Sequence, residues 1–301
     1  METEYNGILP LNKPLGITSH DCVFRLRKML HFRKIGHTGT LDPEADGVLV
    51  VCLGRATRIA EFLLSERKSY RGVVSLGRST VTEDASGETT AVRALEKALP
   101  RARVEEVLRS LTGRIKQVTP LYSAVKVNGK KLYEYARANL PVDPPVREVT
   151  IYSLKLENPR PFYEREIAFE VSCSKGTYVR TLAVAIGQML GYPAHLSALT
   201  RTAAGAFQLS DCADFATIAR HVETGRFGEL LHPLEDGLKA LPSWTVDERC
   251  AQKIAHGALL PVPPMFDDQP RAVYNSKGHC LAIYQLHPDD PQLIKPIKVL
   301  C

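Results

Sequence analysis

A polar loop that leads directly into an apolar run constrains the fold of this chain more than any other feature. It lies in the stretch KIGHTGTLDPEADGVLVVCLGRATR, residues 34–58. Two glycines so close together, Gly36 and Gly39, predict a tight loop and argue against the interior of a regular helix or strand. Asp42-Pro43 extends that loop, because a residue that precedes proline disfavours helical geometry. The apolar run 48–53 then predicts a buried strand that fixes the loop in place.

The acidic residues of this loop, Asp42, Glu44 and Asp46, admit three interpretations. They suit a turn, because aspartate forms local hydrogen bonds there. They also imitate the start of a calcium-binding EF-hand loop. The bidentate glutamate of such a loop would fall at position 53, which is Leu53 in the apolar run, so calcium is rejected. The third interpretation is a catalytic carboxylate, with Asp42 favoured because it lies nearest the glycines and His37. The residues alone leave the turn and the catalytic interpretations open.

The same stretch resembles the catalytic motif of the bacterial tRNA pseudouridine synthase B family, which modifies uridine 55 in the T-loop of tRNA. In that family the aspartate of the GTLDP segment is the essential catalytic residue, and it matches Asp42 here. The resemblance implies an isomerase that detaches uracil from C1′, rotates it and reattaches it through C5, with no cofactor and no metal. The target base lies inside a folded loop, so it must be flipped out before the chemistry. The expected partner is therefore the T-arm stem-loop of tRNA.

Further motifs of the family follow in the same order along the chain. LNKPLGITSHD resembles the first motif of the family. By that resemblance Lys13 supports the catalytic loop, and we expect it to be one of the substrate-binding residues. Lys68-Ser69-Tyr70 resembles a K-x-Y motif whose tyrosine stacks on the target base, which implies this catalytic role for Tyr70. By the same resemblance His37 fills the space that the flipped base vacates. Residues 77–87 match the family's G-x-x-T-x-T-x-D-x-x-G signature.

Residues 175–183 resemble a motif whose arginine pairs with the catalytic aspartate and whose tyrosine lies in the active site. These roles correspond to Arg180 and Tyr178, and an opposite charge beside Asp42 would keep that carboxylate ionised. An arginine near a helix start is disfavoured by the helix dipole, and a residue that breaks a local rule is a candidate for function. Leu199 matches the apolar residue that lines the base pocket, although core packing explains it nearly as well.

Lysines and tyrosines interleave in residues 117–137, around the hairpin-turn dipeptide Asn128-Gly129. A surface that grips an RNA loop needs cations for phosphates and rings for unstacked bases, and Lys126, Lys130 and Lys131 are the predicted substrate-binding lysines. A hairpin with a solvated charged face explains the pattern equally well. The stretch resembles the thumb with which the family presses against the T-loop.

Two positions depart from the family pattern. Thr119 stands where the first proline of a Pro-Pro pair is expected, and Ala185 stands where an aspartate is usual. We interpret Ala185 as the loss of a structural contact and not as the loss of catalysis.

The composition indicates a globular protein without a membrane segment. A length of 301 residues with 44% hydrophobic content predicts roughly two domains. The net charge of +6 is consistent with a polyanionic partner but does not establish one. Seven scattered cysteines predict neither a disulfide framework nor a zinc site, and they fit a reducing cytosol. The start METEYNGILP is too polar for a signal peptide, and no apolar run is long enough to span a membrane. We expect a cytoplasmic monomer.

The expected fold class is α+β. The resemblance implies a pseudouridine-synthase catalytic domain at 1–240, with a central mixed and largely antiparallel sheet flanked by helices. A thumb insertion is expected at about 118–146, and a small PUA-like β-barrel that binds RNA at 241–301. Periodicity predicts helices near 22–30, 60–65, 104–111, 179–190, 214–222 and 246–256, and strands near 48–53, 70–76, 149–156, 167–173, 272–274, 280–284 and 293–299.

Two other functions compete with this interpretation. A non-catalytic RNA-binding protein would share the basic charge and the thumb, but it would not need Asp42, Tyr70 and Arg180 together. An acid–base hydrolase that uses Asp42 and Glu44 lacks a recognisable partner motif. For the isomerase, the sequence leaves open whether Asp42 attacks C1′ or removes a sugar proton.

Overall fold

A nine-stranded mixed sheet organises the N-terminal part of this computed structural model, which describes residues 5–64 and 67–301. The helices and strands in chain order are β1 (Gly7–Lys13), α1 (Ser19–Leu30), β2 (Ile35–Thr38), β3 (Ala45–Leu53), α2 (Ala60–Leu64), β4 (Lys68–Leu76), β5 (Arg78–Thr80), β6 (Thr89–Val92), β7 (Leu99–Pro100), α3 (Arg101–Ser110), β8 (Gly113–Val118), β9 (Lys126–Val127), β10 (Lys130–Lys131), α4 (Leu132–Arg137), β11 (Val146–Leu156), β12 (Phe162–Tyr163), β13 (Glu166–Cys173), α5 (Val179–Leu190), β14 (Ala194–Ala204), β15 (Phe207–Gln208), α6 (Phe215–Glu223), β16 (Ser243–Thr245), α7 (Glu248–Ala255), β17 (Leu260–Pro261), β18 (Arg271–Tyr274), β19 (Cys280–Leu286) and β20 (Leu293–Val299). The predicted helix near 60–65 is present as α2, which ends at Leu64. The last predicted position, Ser65, lies outside the described residues.

The large sheet has the strand order β1-β3-β14-β4-β13-β11-β8, with β2 added to β3 and β15 added to β14. Within the described residues its pairings are antiparallel except that of β3 with β14, which is parallel. The expected α+β fold with a mixed, largely antiparallel sheet is therefore confirmed. In its pairing with β13, β11 has a register shift between Ile151 and Ser153.

The apolar run of β3 is continuous because this strand is buried on both faces. Leu49 and Val51 point into a cluster with the buried side chains of α1, including Leu26. Val48 and Val50 point into a second cluster that also contains Ile283 of β19. A strand covered on both faces loses the polar–apolar alternation of a half-exposed strand. The strand that follows the polar loop is thus held between two hydrophobic layers.

The glycines of the polar loop do not exclude a strand, and the prediction of a loop was wrong for residues 36–38. Residues Ile35–Thr38 form β2, which pairs antiparallel with the second half of β3. The parallel pairing with β14 occupies the same edge of β3 only at residues 45–47, so the rest of that edge is free to bind β2. Gly36 lies in ordinary strand geometry, whereas Gly39 has a φ of +73° and ends the strand. The loop is therefore shorter than its glycines suggest.

Helix α5 confirms its predicted position and carries one end of the site. Leu182 and Ile186 are fully buried against the large sheet, and Gly191 ends the helix in the left-handed conformation, with a φ of +87°. Tyr178 is the residue that precedes the first turn, and Arg180 lies within that turn. Burial of the apolar face fixes the direction in which both side chains project.

The connection between β8 and β11 forms the predicted thumb hairpin. Val118 at the end of β8 pairs with Val146 at the start of β11, so residues 119–145 leave the sheet at its edge. Within them β9 and β10 pair around Asn128 and Gly129, both with positive φ, as a two-residue hairpin turn requires. The short helix α4 follows and was not predicted.

A second, curled sheet of five strands follows from Ser243 in the order β16-β18-β19-β20-β17, with α7 packed against it. Its curvature and strand order are consistent with a PUA-like domain, as expected. Ala272, Ile283 and Leu300 share a hydrophobic cluster with Val48 and Val50 of β3. The C-terminal sheet therefore packs against the face of the large sheet on which Val48 and Val50 lie. Among the residues described, no helix is long and apolar enough to cross a membrane.

Candidate active site

The loop that joins β2 to β3 is held by hydrogen bonds to its own backbone from several parts of the chain. We call residues 39–43 the site loop. Ser19 Oγ accepts from the Leu41 amide at 2.9 Å and lies 3.1 Å from the Leu41 carbonyl, to which it donates. The Gly16 amide donates to the Pro43 carbonyl at 2.9 Å. These bonds fix the backbone on both sides of Asp42.

Asp42 forms an ion pair with Arg180, as the resemblance implies. Arg180 Nε lies 2.9 Å from Asp42 Oδ2, and the exposed fractions of the two side chains are 6% and 43%. The remaining nitrogens of this guanidinium donate to the Thr82 carbonyl at 2.7 Å and to the Tyr122 carbonyl at 3.0 Å. A nearly buried cation therefore faces a carboxylate that is still reachable from solvent.

The segment 80–87 supplies a second carboxylate behind Arg180. Asp84 Oδ2 lies 3.9 Å from Arg180 Nη1, and Asp84 Oδ1 accepts from the hydroxyls of Thr82 and Ser86, both at 2.6 Å. The intervening Glu83 has a φ of +65°, a conformation that non-glycine residues rarely adopt. Burial raises the pKa of the Glu83 carboxyl, while a hydrogen bond from Thr181 acts in the opposite direction. This signature segment therefore orients the arginine.

A cleft of about 920 Å³ opens beside the ion pair. Five of the predicted site residues line it together: Asp42, Tyr70, Tyr178, Arg180 and Leu199. They come from the site loop, β4, the start of α5 and β14. The cleft is large enough for a nucleotide, and its lining combines apolar and aromatic side chains with one carboxylate–guanidinium pair, a combination that suits a small-molecule or nucleobase site.

Tyr70 is almost completely buried, with 8% of its surface exposed, although part of it borders the cleft. Burial raises the pKa of the Tyr70 phenol, and the charge of Arg201 acts against that shift. A protonated, fixed ring is suited to apolar stacking. Its position on β4 follows from the strand alternation, which points Lys68, Tyr70 and Gly72 to the same face.

His37 lies in β2 and does not line the cleft. Burial lowers the pKa of the His37 imidazole, and the charges of Arg201 and His20 lower it further. Its Nδ1 is buried and has no hydrogen-bond partner. The geometry thus gives an uncharged ring below the site loop, and its role toward a flipped base stays a prediction.

The position of Lys13 fits support of the site loop and does not fit direct contact with the substrate. Lys13 is fully buried, and its ammonium donates to the Pro14 carbonyl at 2.8 Å and lies 3.5 Å from the Pro43 carbonyl. It therefore supports the site loop and is not accessible to RNA in this conformation, because its donors face the protein. Burial lowers the pKa of the Lys13 ammonium, and the charge of the Cys22 side chain is the next contribution, in the opposite direction.

The thumb lysines lie outside the cleft lining. Lys126 and Lys130 are exposed, and Lys131 Nζ lies 3.3 Å from the Tyr133 hydroxyl. The cations that do line the cleft include Arg137 and Arg147, which the sequence did not single out. The predicted contacts of Lys126, Lys130 and Lys131 with RNA stay a prediction.

Arg201 is the most buried functional candidate that the sequence missed. Its side chain is 1% exposed and donates to the carbonyls of Gly39, Thr40 and Val48 at 2.9, 3.4 and 2.6 Å. No local signal marks it, because it is one arginine in a strand between two threonines. Gln117 was missed for the same reason, although its amide exchanges two hydrogen bonds with the backbone of Tyr178.

Within the part of the chain that the structure describes, no group of three or more histidine, cysteine, aspartate or glutamate side chains is arranged to hold a metal ion. The chemistry that the geometry offers is that of one ionised carboxylate beside a guanidinium, facing an aromatic ring.

Comparisons with known proteins agree on one family. A model of the TruB family pseudouridylate synthase N-terminal domain matches residues 27–179. The tRNA pseudouridine synthase B of Geobacillus thermodenitrificans is 51% identical over 299 residues, which cover 98% of this chain and 99% of that protein. The protein of the same name from Bacillus cereus is 50% identical over 297 residues, which cover 98% and 97%. This chain belongs to the TruB family of pseudouridylate synthases.

The TruB family assignment agrees with a solved structure. A chain in the crystal structure of a Cbf5-Nop10-Gar1 complex has a TM-score of 0.76 and 26% sequence identity, and the match covers 98% of this chain and 85% of that one. The likeness therefore extends over both sheets. As a TruB family member the protein is a pseudouridine synthase, which is an isomerase.

Proposed function

We propose that this enzyme converts uridine 55 in the T-loop of tRNA to pseudouridine. The observation that carries the proposal is the Arg180–Asp42 ion pair at 2.9 Å, set in a cleft that Tyr70 and Leu199 also line. The relatives named tRNA pseudouridine synthase B match nearly the full length of the chain, which supports tRNA as the substrate. Because tRNA is an intracellular polymer, we also propose a cytoplasmic location.

The reaction conserves the atoms of the nucleotide apart from exchangeable protons. The C1′–N1 bond breaks, the uracil rotates, a C1′–C5 bond forms, the C5 hydrogen leaves to solvent, and N1 gains a proton. Asp42, paired with Arg180, acts either on C1′ as a nucleophile or on a sugar proton as a base. Both routes need an ionised carboxylate that reaches the ribose, and Asp42 with 43% of its side chain exposed is the group that meets this requirement.

The remaining side chains of the cleft position the flipped base. Tyr70 stacks on the uracil, for which roughly 1–3 kcal/mol per base is typical, and Leu199 closes the pocket. Arg137 of the thumb and Arg147 of β11 line the cleft and neutralise backbone phosphates of the RNA. Residues 1–240 act as the catalytic domain with the thumb at about 118–146, and residues 241–301 as an RNA-binding domain.

Tritium release from a T-arm stem-loop labelled at uracil C5 tests the reaction directly. The wild type should release one tritium per uridine converted, and Asp42→Asn should release none while its RNA affinity changes less than about threefold. Glu44→Gln is the matched control, since it removes an exposed acid two residues away and should leave release intact.

Two results would contradict the proposal. Turnover by Asp42→Asn would show that another group performs the chemistry. Tight RNA binding without any release by the wild type would instead support a non-catalytic RNA-binding protein.

A further inference from the structure

The buried guanidinium of Arg201 has an arrangement of partners that simple core packing does not require. It is among the largest fully buried side chains in the described part of the protein. Burying an ionised group costs several kcal/mol unless hydrogen bonds satisfy it. No carboxylate lies within ion-pair distance of it among the described residues. Its hydrogen-bond partners among the described residues are the backbone carbonyls of Gly39, Thr40 and Val48.

These carbonyls lie on both sides of Asp42. Arg201 Nη2 donates to Gly39 at 2.9 Å and Nη1 lies 3.4 Å from the Thr40 carbonyl, both in the site loop before Asp42. Arg201 Nε donates to Val48 at 2.6 Å, in the strand that follows it. One rigid, planar group therefore fixes the distance between the two ends of the segment that carries Asp42. A lysine ammonium lacks the planar set of N–H groups with which the guanidinium donates to all three carbonyls at once.

The same guanidinium also contacts the ring that borders the cleft. Arg201 is the direct neighbour of Tyr70 in the β14–β4 pairing, and its charge acts on the Tyr70 phenol, whose pKa it lowers against the effect of burial. Gly47, opposite Arg201 in the β14–β3 pairing, has a φ of +95°, and a Cβ there would collide with the Arg201 carbonyl. The backbone of β3 thus approaches Arg201 as closely as a glycine allows. Arg201 links the site loop, β3 and Tyr70 at one point.

We propose that Arg201 is a positioning residue that fixes Asp42 relative to Tyr70. The inference rests on the proposed function, in which Asp42 acts on the ribose and Tyr70 stacks on the base. Reaction rates depend steeply on such geometry, and a displacement of about 1 Å costs roughly 100-fold. Although part of Arg201 borders the cleft, its side chain is 1% exposed and donates to backbone carbonyls, so we assign it a role that acts through Asp42 and Tyr70.

Arg201→Lys tests this role because it keeps the charge and most of the volume. We expect the single-turnover rate of tritium release to fall about 100-fold, while RNA affinity stays within about threefold of the wild type. Arg71→Lys is the matched control. It changes an arginine on the adjacent strand β4 whose side chain is exposed and paired with Glu157 and Glu170, and its rate should remain at the wild-type value.

Amide hydrogen exchange supplies a readout that does not depend on the substrate. Arg201→Lys should increase exchange at Leu41, whose amide donates to Ser19 Oγ, and at Ala45, whose amide donates to the Asp42 carbonyl, and it should leave α5 unchanged. The wild type and Asp42→Asn test the proposed function by themselves. If the wild type released no tritium, the exchange result would still decide whether Arg201 holds the loop.

Three outcomes would overturn the inference. The first is an Arg201→Lys rate within threefold of the wild type. The second is a loss of RNA affinity as large as the loss of rate, which would indicate a binding role. The third is global unfolding of both Arg201→Lys and the neutral Arg201→Gln, which would make Arg201 a residue of the whole core and not of the site.

Discussion

Replacing Arg180 with lysine isolates the geometry of the guanidinium from its charge. Arg180 Nε bonds Asp42, and its two terminal nitrogens bond the carbonyls of Thr82 and Tyr122. A lysine ammonium at the end of an unbranched chain retains at most one of these three contacts in place. The variant therefore loses two hydrogen bonds from a charged group, at about 1.5 kcal/mol each, the lower end of the usual range because the open cleft lets water replace them.

The total loss is about 3 kcal/mol. If it raises the activation free energy by that amount, the rate decreases about 150-fold. We would measure single-turnover tritium release at saturating enzyme, where binding no longer limits the rate, together with RNA affinity by filter binding. RNA affinity should change little, because the Arg180 side chain is only 6% exposed and faces Asp42. The melting temperature should fall by about 6 °C, from about 2 °C per kcal/mol for a protein of this size.

Arg103→Lys is the control for a lysine substitution that leaves the site untouched. Arg103 lies on α3, where it is half-exposed and bonds Glu106. A single-turnover rate of Arg180→Lys within threefold of the wild type, in a folded protein, would refute the reasoning. It would show that charge alone, without the fork, is enough to position Asp42.

Two predictions concern stability. Gly47→Ala should lower the free energy of unfolding by more than 3 kcal/mol, roughly, because its left-handed backbone adds strain to a collision with the Arg201 carbonyl. Gly176→Ala, with a similar φ and open space around it, should cost only about 1–2 kcal/mol, and equal losses in urea unfolding would contradict the collision argument. Glu83→Gln tests the pH dependence that burial imposes. Since the folded-state pKa of Glu83 is raised above its ordinary 4.5, the wild type loses stability as pH rises through that folded-state value. The stability of Glu83→Gln relative to the wild type should therefore increase from pH 4 to pH 7, whereas Glu106→Gln, an exposed control, should show no such trend.

The sequence predicted the elements of the site well because each lies in a strongly patterned segment. The apolar run of β3, the alternation of β13 and the helical spacing of α5 are local signals, and all three elements formed as predicted. Asp42, Tyr70 and Arg180 were assigned from short motifs, and the fold places all three on one cleft. The motifs predicted these positions correctly because each motif lies within or directly beside the strand or helix that positions its functional residue.

The failures share a different physical cause, which is that packing partners are distant along the chain. The glycines of the polar loop argued for a coil, but a free edge of β3 made a strand of Ile35–Thr38. Interleaved lysines and tyrosines located the thumb, but composition says nothing about which face of a hairpin turns to the cleft. Arg137 and Arg147 line it, whereas Lys126 and Lys130 do not.

The rigidity of the site loop is the property that local reasoning could least supply. Residues 39–43 include Gly39 and Pro43, which favour turns. On their own, these five residues are compatible with many backbone conformations. Their backbone is fixed by Ser19, Lys13 and Arg201, which lie 22, 30 and about 160 residues away. Each contact uses a main-chain carbonyl or amide, so the identity of the loop side chains carries no trace of it. A loop with the same sequence but without these three partners would retain Asp42 and lose its position, and for that reason we place the decisive test on Arg201 and not on the loop itself.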